Sequence, residues 1–223
     1  AAEQGDETLY YQERRHNNQM VATFNTIFNQ EINKHNKYAL GLQYNFTKGM
    51  HYKTLADMLG GNSFTDYDKF AANEYGRDSQ EAQNDLNNPN RKVGVDDKFG
   101  YNYNILVNKA RAYGLYQLSG NHWQWNAQGF AEGTTMQREG LMKNGRAANN
   151  SFGKSGTAKF LGGGGRMGVN YRPNGAHTLA LSIGAESNAP LARNSFVAPR
   201  MQNDFVNNLT NEDIYHADLS YTF

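Results

Sequence analysis

Gly163, Gly165 and Gly168 stand at the spacing of a G-x-G-x-x-G string, which in dinucleotide-binding proteins ends a strand and opens a helix whose N-terminus holds a pyrophosphate. Here Met167, Val169 and Tyr171 continue at period two instead, so the string predicts glycines on a strand that let a neighbouring segment come close. Gly153, Lys154 and Ser155 repeat the end of a phosphate-binding loop, but Ala148 occupies the place of its first glycine and the motif fails. The histidines, at 16, 35, 51, 122, 177 and 216, show no zinc spacing. Of these, His35, His122 and His177 fall in or beside short turns, where a solvated side chain is a plainer reading than a ligand. Asp57, Asp66, Asp68, Asp96 and Asp97 could bind a cation or substrate hydroxyls, although solvated loop carboxylates account for them more simply. Asn45, Asn149 and Asn208 begin chance glycosylation sequons. No Ser, His and Asp order has a nucleophile-elbow context, and no carboxylate pair stands out. The expectation is a protein that is not an enzyme, with no catalytic residue, metal or cofactor.

Composition narrows the class further. The 223 residues carry 22 basic and 21 acidic side chains, so no net field points to nucleic acid or to an anionic surface. Cysteine is absent, which excludes disulfide frameworks and thiolate zinc sites. A mean hydropathy of -0.81 beside 13% aromatic residues is an odd pairing, because very polar chains are usually aromatic-poor. No segment has the roughly 18 consecutive apolar residues of a membrane helix, so any span must be β. The stretch Ala1 to Glu7 is polar and does not read as a signal peptide, so export would imply that one has been removed.

The elements that must carry these residues are strands. In residues 37–48, Tyr38, Leu40, Leu42, Tyr44 and Phe46 share one face, and Ala39, Gly41, Gln43, Asn45 and Thr47 the other. Met20, Ala22, Phe24 and Phe28 repeat the pattern less perfectly, since Val21 and Ile27 fall on the polar side. A long strand is predicted at 99–118, turning at Ser119, Gly120 and Asn121 into 123–133, where Trp123 and Trp125 share a face with Ala127 and Ala131. Another at 160–171 turns through Arg172, Pro173, Asn174 and Gly175 into Leu179, Leu181, Ile183 and Ala185. Tyr215, Ala217, Leu219, Tyr221 and Phe223 alternate at the end. That makes about seven antiparallel strands of an all-β fold. Short connections at 32–36, 119–122 and 172–177 alternate with long polar ones at about 50–98, 134–158 and 187–212. All four prolines lie in connections, Pro173 in a short turn and Pro89, Pro190 and Pro199 in long loops. Brief helical turns are expected around Leu55–Leu59 and Gln80–Leu86.

Alternation alone fits a soluble β-sandwich as well as a membrane barrel. Three features favour the barrel. The faces opposite the apolar rows are mostly Asn, Gln, Gly and Ser, as in a wide polar lumen. Trp123, Trp125, Tyr171, Tyr221 and Phe223 stand near strand ends beside short turns, where an interfacial aromatic girdle belongs. Short turns on one side and long loops on the other are the asymmetry of outer-membrane barrels. One strand changes phase, with Phe99, Tyr101, Tyr103, Ile105 and Val107 odd but Ala110, Ala112, Gly114, Tyr116 and Leu118 even. A bulge at Lys109 to Arg111 would flip the faces, or the far half stands above the bilayer. An odd number of strands cannot close a bacterial single-chain barrel, so further strands are expected before Ala1, with others after Phe223 left open.

The stretch Lys98 to Ile105, reading KFGYNYNI, resembles a segment of TonB-dependent receptors of the Bacteroides group, as do Asn88, Pro89, Asn90 and Arg91 before it. Asn150 to Lys154, reading NSFGK, Ser195 to Arg200, reading SFVAPR, and Asn203 and Asp204 are similar to further segments in family order, over about Tyr10 to Phe223. The resemblance implies an incomplete piece, residues 1–223, of an up-and-down transmembrane β-barrel of about 22 strands. Such a barrel sits in the outer membrane of a Gram-negative bacterium and imports a scarce nutrient with energy from the TonB complex. The plug, TonB box and signal peptide are not in this sequence, and a surface lipoprotein partner is left open. The rival expectations are a soluble or surface-attached carbohydrate-binding module with aromatic stacking platforms, and a small complete barrel.

Overall fold

Period-two patterning on both sides of tight turns commits the chain to a meander, and the computed structural model, which describes residues 3–4, 7–8 and 10–223, has that form. Its long strands are β1 (Gln12–Glu31), β2 (Asn36–Asp57), β3 (Lys98–Ser119), β4 (Trp123–Gly140), β5 (Ala158–Asn174), β6 (His177–Asn188) and β7 (Glu212–Thr222). Each pairs antiparallel with the next in chain order, and the two-residue strand Gly153–Lys154 beside β4 completes an 8-stranded sheet. The sheet is open, its path ending at β1 and β7. Residues 32–35, 120–122 and 175–176 form the turn end, while the long connections 58–97, 141–157 and 189–211 gather at the other, loop end.

The strands reach further than their alternation. β2 runs to Asp57 and β4 to Gly140, whereas the apolar pattern placed loops from about 50 and 134. In these extensions one face is covered by loops and the other mixes types, with Met50, Tyr52 and Thr54 on β2 and Thr135, Gln137 and Glu139 on β4, so neither row continues the apolar alternation. No bulge occurs at Lys109 or Arg111, where pairing with β2 is continuous from Asn102 to Leu118. The phase change has a different cause: Tyr103, Ile105 and Val107 point to the polar face and pack there with Phe196 and Phe205 of the 189–211 loop. The register shift lies further on, where Tyr52 pairs with Asn102 but Lys53 with Phe99, leaving Gly100 and Tyr101 extra. Gly100 has φ +76, and a Cβ there would stand 2.2 Å from Lys53 Cε, so the bulge needs glycine. Pro173 lies inside the last turnward residues of β5, not in the turn itself, at an irregularity between Tyr171 and Asn174. A proline donates no ladder bond and is tolerated at such a place.

The long loops are built, with their own small core. Leu55, Phe64, Val93 and Phe99 form a buried cluster with Tyr11 and Met58 against it. The helix here is α1 (Lys69–Tyr75), capped by Asp68; Leu55 belongs to β2 and Gln80–Leu86 to turns. Two short strands, Phe64–Thr65 and Lys92–Val93, close the first loop on itself.

Close packing within the sheet yields a test. The Tyr113 ring lies over Gly41, where a Cβ would stand 2.1 Å from its Cζ, and the Tyr113 hydroxyl donates to Asn25 Oδ1 at 3.2 Å. Gly133, by contrast, has open space around a would-be Cβ. Gly41→Val is expected to lower stability by about 1–3 kcal/mol through overpacking, and Gly133→Val to change it little. Denaturant unfolding of the two variants side by side checks this.

Candidate functional site

Cross-strand register sorts the side chains into two unlike faces. On one, Tyr38 pairs with Tyr116, Tyr116 with Ala127, Ala127 with Met167, Met167 with Ile183 and Ile183 with Ala217. The neighbouring row runs Leu118, Trp125, Val169, Leu181 and Leu219, and the last Trp123, Tyr171, Leu179 and Tyr221. From Met20 to Gln30, Tyr38 to Phe46, Asn108 to Leu118, Trp123 to Gln137, Leu161 to Tyr171, Leu179 to Ser187 and Tyr215 to Tyr221, no charged residue points to this side. Lys48, Glu139, Lys159 and Asp213 bound it towards the loop end. Nothing among the described residues covers it: Leu42 remains 59% and Leu219 69% exposed.

The expected girdle residues fall together. Trp123 stacks on Tyr171 with ring centroids 4.1 Å apart and on Trp125 at 6.1 Å. The Tyr221 hydroxyl meets His177 Nδ1 at 2.5 Å, and Phe223 lies 5.0 Å from the same imidazole. The turn histidines are more than solvated ornaments. His35 Nδ1 lies 2.6 Å from the Ser119 carbonyl oxygen, and His122 Nδ1 lies 2.8 Å from that of Arg172. With His177 they tie each short turn to the next strand's end, a contact between turns far apart in sequence.

The opposite face is polar and concave. A hollow of about 620 Å³ touches Asn25, Gln43, Arg111, Gln128, Arg166, Glu186 and His216, one from each long strand. Glu132 is buried there between Arg111 Nε at 2.9 Å and Lys109 Nζ at 3.5 Å.

At the loop end most of the segments named for their family resemblance converge on one side chain, while Asn88–Arg91 stays in the first loop, where Arg91 pairs with Asp66. Arg138 of β4 is 2% exposed. Its Nε donates to the Pro199 carbonyl at 2.6 Å, and its Nη1 to the Ser151 carbonyl at 2.8 Å and Asn203 Oδ1 at 2.6 Å, while its backbone N–H reaches Ser155 Oγ at 2.9 Å. The guanidinium also lies 5.1 Å from the centre of the Tyr103 ring. Burial pulls its pKa down to about 10, leaving it charged near neutral pH. Around it Asn150 Nδ2 donates to Asp204 Oδ1 at 2.6 Å, and the Asn203 amide to the Asn150 carbonyl at 2.8 Å. So NSFGK, SFVAPR and Asn203–Asp204 are parts of one clamp. KFGYNYNI contributes its aromatic floor, with Tyr103 under the arginine and Phe99 in the first-loop core.

Between that clamp and the sheet lies a second hollow of about 610 Å³. Thr47, Gly49 and His51 of β2 and Tyr103, Ile105 and Val107 of β3 form its floor; Arg193, Phe196, Pro199, Arg200 and Met201 form its roof. His51 and Tyr103 are stacked 4.9 Å apart and 17° from parallel. Burial, and then the charge of Arg200, hold the His51 imidazole below its usual pKa.

The five aspartates raised by the sequence do not converge on a ligand site, and no cluster fit for a metal occurs among the described residues. Asp57 Oδ1 accepts from the Leu59 amide and Asp97 Oδ2 from the Gly94 amide, each shaping a turn. Asp68 caps α1, and Asp96 pairs with Arg14 at 3.2 Å. Asp66 is buried and accepts from Asn84 Nδ2 at 2.7 Å, Arg91 Nη2 at 3.1 Å and the Gly100 amide at 2.9 Å. The Gly153–Lys154 pair is the short strand beside β4, and Gly163 to Gly168 lie on β5. Comparison of the chain with protein-family models, curated proteins and solved structures finds no match.

Arg138→Met keeps the bulk and deletes the donors, leaving three acceptors unpaired, two of them on the buried Ser151 and Asn203. Local stability should fall by about 3 kcal/mol, which is on the order of a hundredfold faster amide exchange. The affected amides would be Asn203, Val197 and Ser155, with those of the turn end unchanged; hydrogen exchange by mass spectrometry reads both.

Proposed function

We propose that the chain is part of the wall of a transmembrane β-barrel that imports a nutrient across the outer membrane of a Gram-negative bacterium, of the TonB-dependent receptor kind. The single observation that carries this reading is the uncovered, charge-free face running without interruption across all seven long strands. Its height fits: from Leu161 to Tyr171, at about 3.3 Å per residue and a tilt of about 40°, the strand rises roughly 25 Å, matching an apolar band of about 25 Å. The aromatic row beside the tight turns fits an interfacial girdle, and the built loops fit the extracellular side. Open edges at β1 and β7 are compatible with continuation into a closed ring, since lipid leaves no backbone group unpaired. Import and its energising by the TonB complex rest on the family resemblance of the clamp and floor segments. The plug and TonB-contacting parts would belong to other stretches of the full-length protein.

A soluble binding module remains the second reading, because the exposed Trp123, Trp125 and Tyr171 cluster would serve as a stacking platform. It leaves the rest of the apolar face without a cover.

This sequence has no cysteine, so with any cysteine elsewhere in the full-length protein replaced, single spin labels can be placed at Leu42, Gln43, Leu181 and Ser182 and read in lipid vesicles. Labels at Leu42 and Leu181 should relax with lipid-soluble oxygen in preference to a water-soluble nickel chelate, and those at Gln43 and Ser182 the reverse. Water-type accessibility at Leu42 and Leu181 would remove the barrel reading.

A further inference from the structure

Polar loops over a barrel mouth are ordinarily described as capturing ligand without saying what kind. The second hollow says more, because its lining is chemically one-sided. Its walls are apolar, from Ile105, Val107, Phe196, Pro199 and Met201, and its charged groups are Arg193 and Arg200, with no carboxylate among them. Neither guanidinium takes part in an ion pair among the described residues. Arg200 rests over the Tyr101 ring at 5.0 Å, which holds the charge at the rim without neutralising it. The Tyr103 and Thr47 hydroxyls and the His51 ring are the few remaining polar groups in the lining.

We infer that this hollow binds an amphipathic anion, a ligand with an apolar or aromatic body and a carboxylate or sulfonate. The body would lie against the His51–Tyr103 stack and the Phe196 wall, and the anionic group between Arg193 and Arg200. Charge complementarity selects this occupant over a neutral glycan, whose many hydroxyls would find few partners on apolar walls. The volume of about 610 Å³ suits a metabolite-sized molecule. The roof is held in place by Arg138 through the Pro199 carbonyl and Asn203, so the site is formed before a ligand arrives. That the ligand is cargo rests on the import reading above; that the hollow takes an anion does not.

The test uses 4-benzoylbenzoate, an aromatic carboxylate that cross-links on illumination, and its uncharged methyl ester as control. Both are applied to the full-length protein, and the labelled peptides are mapped by mass spectrometry. The carboxylate should mark residues 196–201 or 103–107 saturably, and excess biphenyl-4-carboxylate should block it. The double variant Arg193→Gln, Arg200→Gln should lower this labelling at least about tenfold at low probe concentration, with the ester unaffected. Val107→Trp, which fills the hollow and keeps both charges, should abolish it. Unchanged amide exchange at Asn203 certifies that the roof is folded in each variant. Equal marking of the hollow by acid and ester, or full labelling of the double variant, overturns the assignment. Anion labelling together with water-type spin-label accessibility at Leu42 would keep this site and discard the importer; the opposite pair of results would keep the barrel and discard the site.

Discussion

Backbone pairing sets the terms for everything else here. Seven long strands share one antiparallel ladder, and because side chains alternate across it, a single choice of register sends Tyr38, Leu40, Leu42 and their cross-strand neighbours Tyr116, Met167, Leu181 and Leu219 to the same side. The chain lays its loops over the other side only. Leaving a Leu or Ile in water forgoes roughly 1.5–3 kcal/mol each. Leu40, Leu42, Leu181, Ile183 and Leu219, each between 43% and 69% exposed, together forgo about half of that sum, on the order of 4–8 kcal/mol, against a total stability of about 5–15 kcal/mol for an ordinary domain. A face with that much apolar surface requires a cover that the described residues do not supply; under the barrel reading proposed above, that cover is hydrocarbon.

The molecule's own core is displaced to where the loops fold back. Leu55, Phe64, Val93 and Phe99 on one side, and Tyr103, Ile105 and Phe196 on the other, are buried at the loop end on the polar face. Arg138 organises the second region by giving its donors to three loop acceptors. A buried cation with neutral partners is costly unless fully satisfied, so the loops hold one arrangement. The same rigidity keeps the hollow beneath them open. Stability at the loop end and the shape of the site are therefore the same property.

Much of this was legible in the residues. The phase of β2, β5, β6 and β7 and the alternation of tight and long connections follow directly from period two, since each apolar row faces one uniform environment. Legibility failed where a strand's surroundings change along its length. Tyr103, Ile105 and Val107 look like the outward row of β3 but point inward, because loop residues 189–211 reach down to meet them; no local pattern records a contact some ninety residues away. The strand extensions to Asp57 and Gly140 were lost for the same reason. The aspartates drew notice as ligands, yet their partners are backbone amides, Asn84 and arginines. Arg138 went unremarked, since one arginine in a polar string carries no sign that it will be buried; only the spacing of NSFGK and SFVAPR marked its partners. His35, His122 and His177 stand in or beside the turns, as the sequence placed them, but their reach to the neighbouring strand end depends on strand order.

Cross-relaxation between lipid acyl chains and protein methyl groups tests the central claim most directly, in the full-length protein held in lipid nanodiscs. Methyls of Leu40, Leu42, Leu181, Ile183 and Leu219 should exchange magnetisation with acyl methylenes, while those of Thr47 and Leu115 on the concave side see only protein and water. Strong transfer from the first group to methyls of a second packed sheet, with none from lipid, would contradict the account.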